Sequence, residues 1–148
     1  MRTVFRKLSA IVLTLMLAFL VFSPAVTRAE QATSVTVLHT NDIHCGIRNY
    51  EKVAAYKQSV TTPVTLIDLG DHIQGEIIGR LTQGQKIVEI MNAAGYDIAV
   101  PGNHEFDYQV PAFLNVIDAA NYEYLSSNFK YADGSDVVTP NGKTMSSF

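Results

Sequence analysis

The sequence predicts an α/β fold in which parallel strands are joined by crossover helices. Three observations predict it. β-branched or continuously apolar runs begin near Val35, Val64, Ile98 and Glu123. Each interval between them carries apolar residues at helical spacing. Each of the first three runs also ends directly in a polar or glycine-bearing loop, as the alternation of strand and helix in a parallel sheet requires.

Before the first strand, Arg2, Arg6 and Lys7 precede an apolar run from Leu8 to Phe22, which Ser23-Pro24 breaks. Thr27 and Ala29 supply small residues at the positions that flank a cleavage site. The run of about 15 residues is shorter than the roughly 20 of a spanning helix, so residues 1–29 are expected to be a secretory signal peptide rather than an anchor. The expected location is secreted or periplasmic, with residues 30–148 as one partial domain.

Of the 11 basic residues, four lie in that leader, which leaves seven against 14 acidic residues, a formal charge of −7. This balance offers no patch for nucleic acid or for an anionic membrane, and no stable membrane anchor is expected after cleavage. Cys45 is the one cysteine, so no intrachain disulfide can form.

Val35 to Thr40 reads as the first strand because most of its residues are β-branched. Tyr50 to Val60 has one apolar and one charged face and ends at Thr61-Thr62-Pro63. Val64 to Leu69 is nearly continuous in apolar character, as a strand covered on both faces would be. A loop containing Gly75, Gly79 and Gly84 leads to a helix from Gln85 to Ala94, with Gly95 as its C-terminal stop. Ile98 to Val100 is a third strand, Val110 to Ala119 a third helix and Glu123 to Ser127 a fourth strand. Asp133-Gly134 and Asn141-Gly142 then mark turns around Val137-Val138.

Ligands gather beyond the carboxyl ends of such strands. There the chain places Asn41-Asp42-Ile43-His44, Gly70-Asp71-His72 and Gly102-Asn103-His104-Glu105-Phe106-Asp107. Their mixed carboxylate, imidazole and amide donors suit divalent first-row metals better than calcium or a thiolate-rich structural zinc site. Two ions bridged by one carboxylate would form a template for in-line attack on phosphorus, and Asp71, on the middle loop, is the natural bridge. Within the first strand, His39 is expected to be packed or hydrogen-bonded in the core. His72 is expected to be structural or to support the ligands, Glu105 to orient its loop through hydrogen bonds and Phe106 to pack.

The segments Leu38-His39-Thr40-Asn41-Asp42-Ile43-His44, Gly70-Asp71 with Gln74-Gly75, and Gly102 to Asp107 together resemble the 5'-nucleotidase family of calcineurin-like metallophosphoesterases. The resemblance runs from about Val35 to Phe129. It implies the N-terminal part of a four-layer α-β-β-α sandwich that hydrolyses phosphate esters such as nucleoside monophosphates or nucleotide sugars. It implies two divalent ions, of the Zn, Mn or Co kind, with Asp42 and His44 on the first, Asp71 as the bridge and Asn103 on the second. His104 resembles the family's catalytic histidine, and Asp107 its partner.

Two departures follow from the same comparison. Cys45 stands where the family commonly has glycine or another small residue, and it is expected to be a buried thiol or else a soft ligand for zinc. No histidine follows His104, so the family's later histidine-bearing loops, its Gly-His-x-His motif and its C-terminal substrate domain have no counterpart here. Asp71 and Asn103 alone would hold the second ion. Most of the family's second sheet is missing as well, so the chain by itself is expected to be poorly packed, aggregation-prone or dependent on a partner segment, whether it is a gene fragment, a frameshifted copy, an incomplete gene model or a genuine short protein. A non-catalytic metal- or partner-binding remnant is the alternative, and hydrolysis of sulfur esters on the same fold a third reading.

Overall fold

A computed structural model describes residues 34–145 of the 148-residue chain. The signal peptide expected at residues 1–29 lies outside the described residues. Four parallel strands, β1 (Thr36–Thr40), β2 (Val64–Asp68), β3 (Ile98–Ala99) and β4 (Glu123–Tyr124), form one sheet in the order β1-β2-β3-β4. Between them run α1 (Ile47–Ser59), α2 (Ile77–Thr82), α3 (Gln85–Ala94) and α4 (Gln109–Ala119), with a 3₁₀ turn at His104–Phe106 before α4. This is the expected α/β fold of parallel strands and crossover helices, consistent with a truncated calcineurin-like sandwich.

The strand order decides where the helices go. Strands added one after another in the same direction by right-handed crossovers put every helix on one side of the sheet. Accordingly α1 packs on α3 and α3 on α4. The single core lies beneath them: Tyr50 of α1, Leu66 of β2, Ile87, Val88 and Met91 of α3, and Phe113 and Val116 of α4 are all buried. Burying each large side chain of this kind contributes roughly 1.5–3 kcal/mol.

The opposite face of the sheet corrects two expectations. The second strand was expected to be covered on both faces, but cover reaches only one: Leu66 and Asp68 are fully buried, while Leu69, on the other side, is 44% exposed. His39 was expected in the core and is exposed. In β1 the two-residue period sends Leu38 towards the helices and His39 away from them, and among the described residues no element covers that second face. Val35 and Val37, 66% and 59% exposed, share it.

This strip carries a prediction. The chain by itself should bind a hydrophobic dye such as ANS, and Val37→Thr, which keeps β-branching, should reduce that binding with a stability change of about 0.5 kcal/mol or less. Equal dye binding by variant and parent would show that the strip is not responsible.

Element boundaries shift by one to three residues at half of the termini read from sequence. The sequence reading stopped β4 at Ser127, but the ladder ends at Tyr124 and the chain turns where Ser126 Oγ accepts the Phe129 N–H at 3.2 Å. The glycine-bearing stretch read as a loop contains α2. Its Ile77 and Leu81 are 66% and 79% exposed, so no apolar period announces it, and its packing on α3 sustains it. Gly95 ends α3 with φ 78° and donates its N–H to Met91 O at 3.1 Å, as expected of a C-terminal glycine. The two turns near the end are present, with antiparallel bridges Lys130–Asp136 and Val138–Thr144.

Candidate metal centre

The three polar loops meet at the carboxyl edge of the sheet because their backbones extend the ladder beyond the strands. Leu69 N–H bonds to Thr40 O at 2.8 Å, Asp42 N–H to Gly70 O at 3.1 Å, and His44 N–H to Asp71 O at 3.0 Å. The third loop comes close to the second through a pair of glycines. A Cβ on Gly70, whose φ is +101°, would lie 2.5 Å from Gly102 N, and one on Gly102 would lie 2.2 Å from Asp71 Oδ1. Only residues without side chains permit that approach.

Asp42, His44, Cys45 and Asp71 all have positive φ, between 48° and 65°. Side chains rarely accept this region, and each such residue costs on the order of 1–3 kcal/mol. The sharp turns let side chains from separate loops point at one place. One ligand atom from each of His44, Asp71 and His104 lies within 4.8 Å of the other two.

Hydrogen bonds assign the free atoms. His44 Nδ1 stands 3.1 Å from Gln74 O. A carbonyl only accepts, so in the neutral ring Nδ1 carries the proton and Nε2 keeps its lone pair. That is the arrangement in which a metal-binding histidine is held by a backbone carbonyl. Asp42 Oδ1 lies 3.7 Å from the same Nε2, on an exposed carboxylate that also meets the Asn41 amide. Asp71 Oδ1 accepts the His104 N–H at 2.9 Å. Asn103 stands exposed immediately before the 3₁₀ turn.

His104 Nδ1 lies 2.7 Å from Asp107 Oδ2. That bond raises the imidazole above its ordinary pKa, with further help from the charges of Asp107, Asp71 and Glu105. Its Nε2 remains for other work, and its ring meets that of His44 edge-on, centroids 5.0 Å apart. The structure thus brings together His44, Asp71, His104 and Asp107, and sets Asp42 beside His44. Of the three donors nearest one another, His104 was read from sequence as a proton-handling residue and not as a ligand.

Behind the edge lies a buried polar network. His72, fully buried, bonds through Nδ1 to Asp68 Oδ1 at 2.7 Å and through Nε2 to the Tyr124 hydroxyl at 2.7 Å. Burial alone would lower its pKa, but the Asp68 bond and the charges of Glu105, Asp68 and Asp71 outweigh it and hold it raised. Asp68 also accepts the Gly70 N–H at 2.9 Å and the Thr40 hydroxyl at 2.6 Å. His72 is therefore structural, as expected. Phe106 packs against Phe113 and Phe129, each with centroids 5.2 Å away.

The sequence reading missed three supports: the Gln74 carbonyl, Asp68 and Tyr124. A backbone carbonyl has no sequence signal, and an aspartate inside an apolar strand was the only visible hint of the network.

Cys45 is the buried thiol that the sequence allowed, not a soft ligand. It is fully buried, its Sγ faces His72 O at 3.4 Å, and burial pushes the thiol up to about 11. So little thiolate exists near neutral pH that metal binding is disfavoured. Ellman's reagent should leave the native thiol untouched and titrate it after denaturation; immediate reaction in the native state would contradict this burial.

A parallel sheet whose carboxyl edge gathers histidine and aspartate donors defines a class of α/β metal-binding domain. Residues 35–147 match the family model of the calcineurin-like phosphoesterases. The chain belongs to that family. It is 31% identical over 129 residues to a snake venom 5'-nucleotidase of Gloydius brevicauda, covering 74% of this chain and 22% of the relative. It is 27% identical over 165 residues to the trifunctional nucleotide phosphoesterase protein YfkN of Bacillus subtilis, covering 88% of this chain and 11% of the relative. The crystal structure of calcineurin-like phosphoesterase YfkN from the same organism superimposes with a TM-score of 0.60 at 22% identity, over 75% of this chain and 45% of that one. The chain thus spans about a fifth of the length of the 5'-nucleotidases it matches, corresponding to their N-terminal part. It is a domain of the metal-dependent phosphoesterase superfamily, with a candidate His/Asp metal cluster.

Proposed function

We propose that the chain supplies the first half of the two-metal centre of an exported phosphoesterase that hydrolyses nucleotides. The observation that carries this reading is the convergence of His44, Asp71 and His104 within 4.8 Å at the carboxyl edge of the sheet. The relatives named as 5'-nucleotidases and as a nucleotide phosphoesterase support the substrate class. The basic, apolar leader supports export, and no helix among the described residues is long and apolar enough to cross a membrane.

The nitrogen and oxygen donors fit a divalent first-row ion, since His44 presents an unprotonated Nε2 and the carboxylates offer hard oxygens. Asp42 and His44 would hold one ion, Asp71 would bridge, and Asn103 would hold the second. Bound there, such ions supply charge stabilisation for the phosphoryl oxygens.

The chain's own residues do the rest. Gln74 O keeps the His44 ring in place. Asp71, tied to the His104 backbone, sets the distance between the second and third loops. Asp107 holds the proton on His104 Nδ1 and stabilises the imidazolium. As water adds to phosphorus and releases a proton to solvent, the ester P–O bond breaks and His104 delivers its Nε2 proton to the departing oxygen.

Titration of the full chain with Mn²⁺, followed by calorimetry, tests the reading. Asp71→Ala is expected to weaken uptake by about 10-fold or more, since a bridging carboxylate contributes to both ions. An affinity equal to the parent's would remove Asp71 from the site.

A further inference from the structure

Glu105 is fully buried within a loop whose neighbours Asn103 and Asp107 are exposed. A carboxylate is almost never fully buried unless it is paired or densely hydrogen-bonded, and Glu105 is both. Its Oε1 accepts the backbone N–H groups of His72 at 2.9 Å and Ile73 at 3.3 Å. Its Oε2 accepts those of Asp71 at 2.8 Å and Gly102 at 2.6 Å. The buried His72 ring adds a fifth partner, its Nδ1 lying 3.4 Å from Oε1.

The four backbone donors belong to two loops. Three come from the loop of Asp71, and the fourth is Gly102, at the start of the loop that carries Asn103 and His104. Asp71 returns the connection, since its Oδ1 accepts the backbone N–H of His104 at 2.9 Å. A carboxylate from the third loop therefore holds the backbone of Asp71, while the carboxylate of Asp71 holds the backbone of the third loop. Glu105 itself touches none of the side-chain atoms assigned to the ions or to proton transfer.

We propose that Glu105 is a positioning residue that acts through Asp71, holding the second and third loops at the separation a metal ion needs before the ion arrives. This rests on the reading of Asp71 as a metal ligand given above. The charge matters as well as the shape. Each carboxylate oxygen accepts two N–H groups, whereas the amide of a glutamine would turn an NH₂ towards two donors and leave them unpaired. Ions bound to loops already fixed spend none of their binding free energy on ordering them. Residues that support metal ligands from behind change affinity by about 10- to 100-fold when replaced.

Two measurements on the full chain test this. In the metal-free parent, the amides of Asp71, His72 and Gly102 are expected to exchange hydrogen about 100-fold more slowly than that of the exposed Asn103. Exchange as fast as that of Asn103 overturns the inference, and this arm holds even where a Glu105 variant fails to fold. In the second arm, Glu105→Gln is expected to weaken Mn²⁺ binding by about 10-fold or more, while the core truncation Val116→Ala, which lowers stability away from the loops, leaves it within about twofold of the parent. A folded Glu105→Gln chain within twofold of the parent, or an equal loss in Val116→Ala, reduces Glu105 to a structural residue and overturns the inference alone. A parent that takes up no Mn²⁺ overturns the metal-centre reading itself, and this inference with it.

Discussion

Under the proposed function, replacing His104 with alanine is expected to lower phosphate-ester hydrolysis by about 10²- to 10⁴-fold, the usual contribution of a positioned acid or base. Nδ1 is committed to Asp107, so only Nε2 can act on another group. That atom cannot at once bind an ion and give up a proton. If it delivers a proton, the variant loses kcat while KM and Mn²⁺ affinity stay within about threefold of the parent, because the interaction exists only in the transition state. If instead it is a ligand, as its place beside His44 and Asp71 also allows, Mn²⁺ affinity falls together with the rate. Paired kinetics and calorimetry on the hydrolysing protein separate the two roles, and unchanged kcat would sink both.

Asp68→Ala is expected to destabilise the fold by about 3–5 kcal/mol, the order of loss when one partner of a buried, hydrogen-bonded pair is removed. The loss leaves the buried His72 Nδ1 without its nearest partner, orphans the Gly70 N–H and leaves the Thr40 hydroxyl with the Tyr96 hydroxyl alone. Against a total stability of about 5–15 kcal/mol, that is enough to unfold a marginal domain. Asp68→Asn separates shape from charge. It keeps the volume and one acceptor, and should retain more stability than alanine while still falling short of the parent. Urea unfolding measures both; a loss under about 1 kcal/mol for Asp68→Ala would show that the network contributes little.

The same two residues show what a sequence conveys and what it does not. His104 and Asp107 stand three apart behind Pro101-Gly102, and nearby partners in a turn can be read directly from spacing. Asp68 and His72 are four apart and equally visible, yet nothing local says that both are fully buried or that Tyr124, 52 residues after His72, completes the network. His39 fails for the same reason. Its alternation within the strand was legible, but which face the helices cover depends on every crossover turning the same way.

The sequence by itself determined the order of the four strands and of three of the four helices, the three polar loops and the family to which they belong. These follow from local period, turn chemistry and adjacent side chains. Only the tertiary structure decided that the helices share one face, that Cys45 is a buried thiol, and that His104 stands with His44 and Asp71 as closely as a ligand would. Each of those depends on close approach between segments distant in sequence, set by parallel pairing and by two glycines that let the loops touch.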